Sequence, residues 1–164
     1  MQHLASSPGL AVLAAALALA GCGKAQKSAE KVEVKQYIVT SAVDCADNTG
    51  LTYEVCTELI EQAVASHEKS APTHKSREAC EKAEGPEWCE RMDEKVYRPR
   101  LTAFQISMTE KPTAVPLYPT KKASTGFRTA SNGDVLTEAD TFTFTKSASD
   151  AAELYKPQKK KGAF

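Results

Sequence analysis

The sequence predicts an α+β fold: a small disulfide-stapled two-helix module, followed by a short antiparallel β region, with flexible termini. Three observations carry this. Cys45, Cys56, Cys80 and Cys89 fall within one stretch of the chain. Two helical patterns with capped starts and marked stops lie between Thr52 and Glu84. Short alternating β-like segments follow residue 97.

Taken in order, residues 1–21 carry no Lys, Arg, Asp or Glu, and Leu10 to Ala20 is an unbroken apolar run. Such a run spans roughly 16 Å as a helix, short of a bilayer core of about 30 Å, and fits the apolar region of an export signal. Leu19-Ala20-Gly21-Cys22 follows and resembles the bacterial lipobox. That resemblance implies cleavage between Gly21 and Cys22 and acylation of Cys22, with anchoring by more than one chain. The lead MQHLASSPG departs from the pattern in having no Lys or Arg. Gly23 stands where Asp would signal inner-membrane retention, which favours the outer membrane.

Residues 22–35 read as a polar tether. Lys24, Lys27, Lys31 and Lys35 would share one side of a helix and rest on anionic headgroups, or simply be solvated. The folded part is expected over 36–145, with a helical cysteine module at about 41–92 and a β-rich part at about 97–145. Val34 to Ser41 reads as a short strand. Thr52 is an N-cap signal for a helix that runs to Ser70, where Pro72 stops it. Its apolar stripe passes through Cys56, Ile60 and Val64 and ends at His67, read as a packing residue. Ser76 caps a second helix, stopped by Gly85-Pro86. The single tryptophan, Trp88, is expected against a disulfide or the first helix.

Leu101 to Met108 alternates, placing Phe104, Ile106 and Met108 on one face. Pro112, Pro116 and Pro119 make Lys111 to Thr120 extended or a loop. Asn132-Gly133 signals a two-residue hairpin turn, and Thr141 to Thr145 (TFTFT) puts Phe142 and Phe144 on one side. Residues 146–164, ending in Lys159-Lys160-Lys161, read as a basic disordered tail.

Composition narrows the function. The 164 residues carry 21 Lys+Arg and 21 Asp+Glu, a balance that argues against nucleic acid as a partner. After Gly21, 23 of 143 residues are Leu, Ile, Val or Phe, too few for a large enzyme with a deep dry site. Residues 41–90 hold 4 basic and 11 acidic residues, and 91–164 hold 13 basic and 8 acidic. The two parts either dock on each other or meet a charged partner.

With Cys22 assigned to lipid, four cysteines remain, and that even number in an exported chain implies two disulfides. Local pairing, Cys45–Cys56 with Cys80–Cys89, is favoured because it closes short loops. Crossed pairing, Cys56–Cys89 with Cys45–Cys80, stays open. No cysteine spacing is that of a redox site or a zinc knuckle, so no metal and no cofactor are expected, although His67 and His74 lie between the pairs. Arg98 and Arg100, in Tyr97-Arg98-Pro99-Arg100, form the densest cationic spot before the tail and are the candidate anion contact. Glu54, Glu58 and Glu61 share one helix side and read as a solvated face.

Tyr37, Asp44-Cys45, Cys56, Ala71-Pro72, Ser76-Arg77-Glu78, Cys80-Glu81, Gly85 and Cys89 form a pattern that resembles the YgiB-like family of uncharacterised bacterial envelope proteins, many with lipobox signals. Pro116-Leu117-Tyr118 and Phe127 to Gly133 are similar to its later half, so the resemblance spans Tyr37 to Leu136. A long Gly/Met/Gln-rich insert of some members is missing here. The family brings no catalytic residues. The proximity of its genes to ATP-grasp ligases similar to glutathionylspermidine synthases implies an envelope-maintenance pathway.

The expected function is therefore that of a non-catalytic envelope lipoprotein facing the periplasm, which presents a binding or structural module to an envelope protein or wall polymer. The alternatives are an enzyme that modifies an envelope polymer and a thiol-redox protein. No nucleophile or metalloprotease motif supports catalysis.

Overall fold

Four hydroxyl side chains start the four helices of the computed structural model, which describes residues 33–155. Strand β1 (Gln36–Val39) leads into α1 (Ala42–Thr49), capped by Ser41 Oγ, which accepts from the Asp44 N–H at 3.1 Å. Helix α2 (Tyr53–Ser70) is capped by Thr52, and α3 (Arg77–Glu84) by Ser76. Strands β2 (Cys89–Asp93) and β3 (Val96–Pro99) form a separate hairpin. Then come β4 (Ala103–Ser107), β5 (Thr113–Pro119), β6 (Gly126–Arg128), β7 (Asp134–Leu136) and β8 (Thr143–Phe144). Helix α4 (Lys146–Leu154), capped by Thr145, is the last element described.

The main sheet has the order β7-β6-β5-β4-β1-β8. Its pairs are antiparallel except β1–β8, which run parallel. Neighbouring residues point to opposite faces, so Ile38 and Val39 enter different cores. On one face Val39, Phe104 and Ile106 pack against Cys45, Cys56, Leu59 and Ala63 of α1 and α2. On the other, Ile38, Leu117, Phe127 and Val135 pack against Ala148 and Ala152 of α4. Phe142 and Phe144 join this second cluster, Phe144 stacking on Phe127 at 6.1 Å between centroids.

The mixed α/β composition and the two disulfides are as expected, and so are the starts and ends of α2 and α3. The arrangement differs. A helical module does not simply precede a β region: β1 lies inside the sheet between β4 and β8, with α1, α2 and α3 between it and β4 in the chain. Helix α1 is an added element, since its Asp, Asn and Thr residues are weak helix formers. Cys45–Cys56 ties it to α2. The expected disordered tail from 146 is corrected: residues 146–154 are helical, with Ala148 and Ala152 buried. Lys159, Lys160 and Lys161 lie outside the described residues, as do the signal over 1–21, Cys22 and most of the tether.

Of the two alternatives for the proline-rich segment 111–120, extended or a loop, the extended one forms, as β5 inside the sheet. The Leu117 carbonyl accepts from the Thr102 N–H at 3.0 Å, which turns the polar groups of Thr113, Val115 and Leu117 toward β4. Those of Ala114 and Pro116 face the other way, where β6 does not pair until Tyr118. The N–H that Pro116 lacks thus takes no bond from the ladder, and Pro119 ends the strand. The β6–β7 connection is a five-residue loop, 129–133, instead of a two-residue turn. Thr129 organises it: its N–H donates to Gly133 O at 2.9 Å and its Oγ1 accepts from the Gly133 N–H. Among the described residues no helix is long and apolar enough to cross a membrane.

Candidate functional site

Helix α2 buries Cys56, Leu59, Ala63 and His67, one side chain per turn, so its apolar stripe ends on an imidazole. His67 is 2% exposed and faces Tyr118 of β5, which is fully buried. Its Nδ1 lies 3.0 Å from the Tyr118 hydroxyl and its Nε2 3.4 Å from Glu90 Oε1. The same carboxylate oxygen accepts from Arg98 Nε at 2.7 Å. A carboxylate only accepts, so Nε2 carries the imidazole proton and Nδ1 accepts from the Tyr118 O–H. One neutral tautomer satisfies every group.

Burial holds the His67 pKa below the ordinary histidine range; the Arg98 charge adds to this, against Glu90 and Glu68. Burial likewise raises Tyr118, with Arg128 and Arg98 opposing. Both groups are therefore neutral near pH 7.

A second cluster continues from the first. The Arg128 guanidinium of β6 sits over the Tyr118 ring, 5.2 Å from its centroid. Its Nη2 pairs with Glu84 Oε2 at the end of α3, both residues being about 5% exposed or less. Lys121 Nζ reaches the same oxygen at 3.2 Å, and His74 Nε2 lies 3.3 Å from Glu84 Oε1. Arg128 Nε is buried without a hydrogen-bond partner. Breaking a buried pair of this kind strands a charge, so these contacts fix geometry more than they add stability.

The Tyr118–His67–Glu90 chain has the connectivity of a base held by an orienting carboxylate. Tyr118, His67 and Arg128 are nevertheless enclosed, each 4% exposed or less, and the arrangement joins α2, β2, β5 and β6.

Local pairing of the cysteines is what forms: Cys45–Cys56 with Cα atoms 5.9 Å apart, and Cys80–Cys89 at 6.2 Å. All four are buried. Of the expected anion contact, Arg98 is 15% exposed and its Nε donates to Glu90. Arg100 instead lines a cleft of about 400 Å³ with Arg77, Glu87, Trp88, Leu154 and Tyr155. Trp88 lies over Gly85, where a Cβ would come within 2.1 Å of the indole. Glu54, Glu58 and Glu61 are exposed on α2. Among the described residues no group of three His, Cys, Asp or Glu is placed to hold a metal ion.

Sequence reading missed Tyr118, Glu84, Glu90 and Arg128. His67 and Tyr118 are 51 positions apart, and Glu84 and Arg128 are 44 apart, so no local spacing links them. The available hint was the charge imbalance between the two parts. Glu84 and Glu90 come from the acidic part, and Arg98, Lys121 and Arg128 from the basic one.

Fold and site together define a small disulfide-bonded α/β domain with a buried polar network between its elements. The model of a family described as a protein of unknown function, DUF1190, matches residues 33–163. The chain belongs to this family, the uncharacterised YgiB-like family that its cysteine and Ala-Pro pattern resembles. No curated protein and no solved structure matches it.

Proposed function

We propose that the chain is an envelope lipoprotein, anchored through acylated Cys22 and facing the periplasm, whose domain is a non-catalytic binding or structural module in envelope maintenance. The observation that carries this reading is the pair of disulfides, Cys45–Cys56 and Cys80–Cys89. Bridges of this kind form and persist in oxidising compartments, and Leu19-Ala20-Gly21-Cys22 supplies both the route and the anchor. The non-catalytic part is supported by the closed site, whose ionisable groups satisfy one another. Burial of all four sulfurs weighs against thiol exchange, and exposure of Glu54, Glu58 and Glu61 weighs against a carboxylate pair acting on a polymer.

Mass spectrometry of the protein extracted from bacterial envelopes tests the reading. The expected N-terminal fragment begins at Cys22 and carries acyl chains, and alkylation without reductant labels none of the other four cysteines. An unacylated chain still beginning at Met1, with alkylated thiols, would overturn it. Crosslinking in intact envelopes then identifies the protein or wall polymer that the module meets.

A further inference from the structure

The cleft of about 400 Å³ that Arg100 lines gathers charges which the fold leaves unpaired, and its volume is that of a small-ligand site. The Arg100 guanidinium and the Glu87 carboxylate are exposed, and neither has a partner among the described residues. Arg77, also exposed, gives its Nε to Glu81 at 2.7 Å, which leaves its two Nη groups for a ligand. Trp88 forms a wall, with one side of its indole laid on Gly85. Leu154, from the last turn of α4, lines the same cleft and is 76% exposed. Glu87 is held there against backbone preference. It has φ 65 in the turn Gly85-Pro86-Glu87-Trp88, closed by the Trp88 N–H on Gly85 O at 3.3 Å, at a position that favours glycine.

We propose that this cleft binds the phosphoethanolamine headgroup of a phospholipid, with the phosphate on Arg100 and Arg77, the ammonium on Glu87 and the start of an acyl chain along Leu154. A guanidinium presents a planar fork of N–H donors that matches phosphate oxygens. A primary ammonium has N–H groups to donate to a carboxylate, which only accepts. The mixture of signs selects the ligand. Glu87 repels a bare anion and the two arginines repel a bare cation, so a group that carries both charges satisfies the cleft best.

Two further observations favour a lipid over a soluble zwitterion. An exposed leucine beside the charged groups gives an acyl chain an apolar contact that a soluble headgroup does not use. Lys156, Lys159, Lys160 and Lys161 follow in the chain, with no Asp or Glu among residues 156–164, a composition suited to a surface of phosphates. The proposal deepens the reading of the domain as a binding module and rests on it, but it needs no acyl chain at Cys22.

The test titrates the full chain, in a phosphate-free detergent, with glycerophosphoethanolamine, glycerophosphocholine and inorganic phosphate, read by the emission of Trp88, its only tryptophan. Glycerophosphoethanolamine should give a saturable change, and the other two should bind at least about tenfold more weakly, since neither can donate an N–H to Glu87. Arg100→Ala should weaken binding of the ethanolamine headgroup at least about tenfold. Glu87→Gly, which also relieves the backbone at that position, should fold normally and lose the preference for ethanolamine over choline. Equal binding of the two headgroups by the natural chain, or undiminished binding in Arg100→Ala, would overturn the proposal. In vesicles of phosphatidylethanolamine with brominated acyl chains, Trp88 should be quenched, and Leu154→Ser should lower the quenching by about half. Binding of the soluble headgroup without quenching in vesicles would reject a lipid as the ligand. The mass of the Cys22 fragment and the crosslinked partner are separate readouts, so the anchor, the module and the headgroup site can each fail alone.

Discussion

On the sheet, Ile38, Leu117, Phe127 and Val135 close one apolar core and Val39, Phe104 and Ile106 another, each covered by helices. The unit formed by α3, β2 and β3 adds nothing to either core and is held by a disulfide and by ion pairs to Glu84 and Glu90. Apolar burial is non-directional and insensitive to proton or thiol chemistry. The second region rests on directional polar contacts, whose strength depends on geometry. One short chain thus contains a body held chiefly by apolar burial and a module held chiefly by polar contacts and a disulfide.

The largest expected effect lies in the body. Phe127 is fully buried and stacks on Phe144 across the α4 face. Phe127→Ala should cost about 3–5 kcal/mol by lost transfer energy and the cavity left behind. Urea unfolding should show this as a lower midpoint, with β1 and β4 amides losing protection together. A loss under about 1 kcal/mol would mean that this face collapses around the gap and is no tighter than the module.

Phe127 and its partners also mark how far the sequence could be read. Helices α2 and α3 were legible because Thr52, Ser76, Pro72 and Gly85-Pro86 act locally, on the residues beside them. The Phe104 and Ile106 face was legible by alternation. Strand β5 was legible only as extended or a loop, because its place inside the sheet depends on the handover from β4 to β6 at Leu117 and Tyr118, which makes room for its prolines. Helix α4 was hidden in a polar, lysine-bearing segment whose buried face is alanine alone, with Thr145 as its only local signal. Thr145 also donates to Asp44 Oδ2 at 2.7 Å, a contact 101 positions long. The network around His67 is non-local in the same way: its members belong to six different elements, and only their charges were visible beforehand.

The next effect belongs to the module. Cys80 and Cys89 are 9 positions apart in sequence. Replacing both with alanine should cost about 2–3 kcal/mol by the loop-entropy estimate. Cys45 and Cys56 are 11 apart and close a similar loop, but within an apolar cluster. The two double variants should therefore differ in place more than in size. Loss of Cys80–Cys89 should speed amide exchange over 77–99 while the sheet stays protected. Loss of Cys45–Cys56 should lower protection of β1, β4 and α2 together. Equal spreading of both effects would show that the module has no independence.

The smallest effect tests whether the two regions are energetically separate. Asn132 has φ 63, a left-handed conformation, in the loop from β6 to β7, and its N–H donates to Thr129 O at 3.0 Å. Asn132→Ala should cost about 1 kcal/mol, since an alanine Cβ is crowded there, while Asn132→Gly should be near neutral. The Thr129 carbonyl also accepts from Arg128 Nη1 at 3.3 Å, and Arg128 is the residue that grips Glu84. The loop therefore connects to Glu84 of the module through the Arg128 side chain. If that path carries little energy, Asn132→Ala and the Cys80/Cys89 double variant should add to within about 0.5 kcal/mol in urea unfolding. A coupling larger than that would mean that the β6–β7 loop helps to hold the module in place, and would move the boundary between the two regions from Glu84 to Thr129.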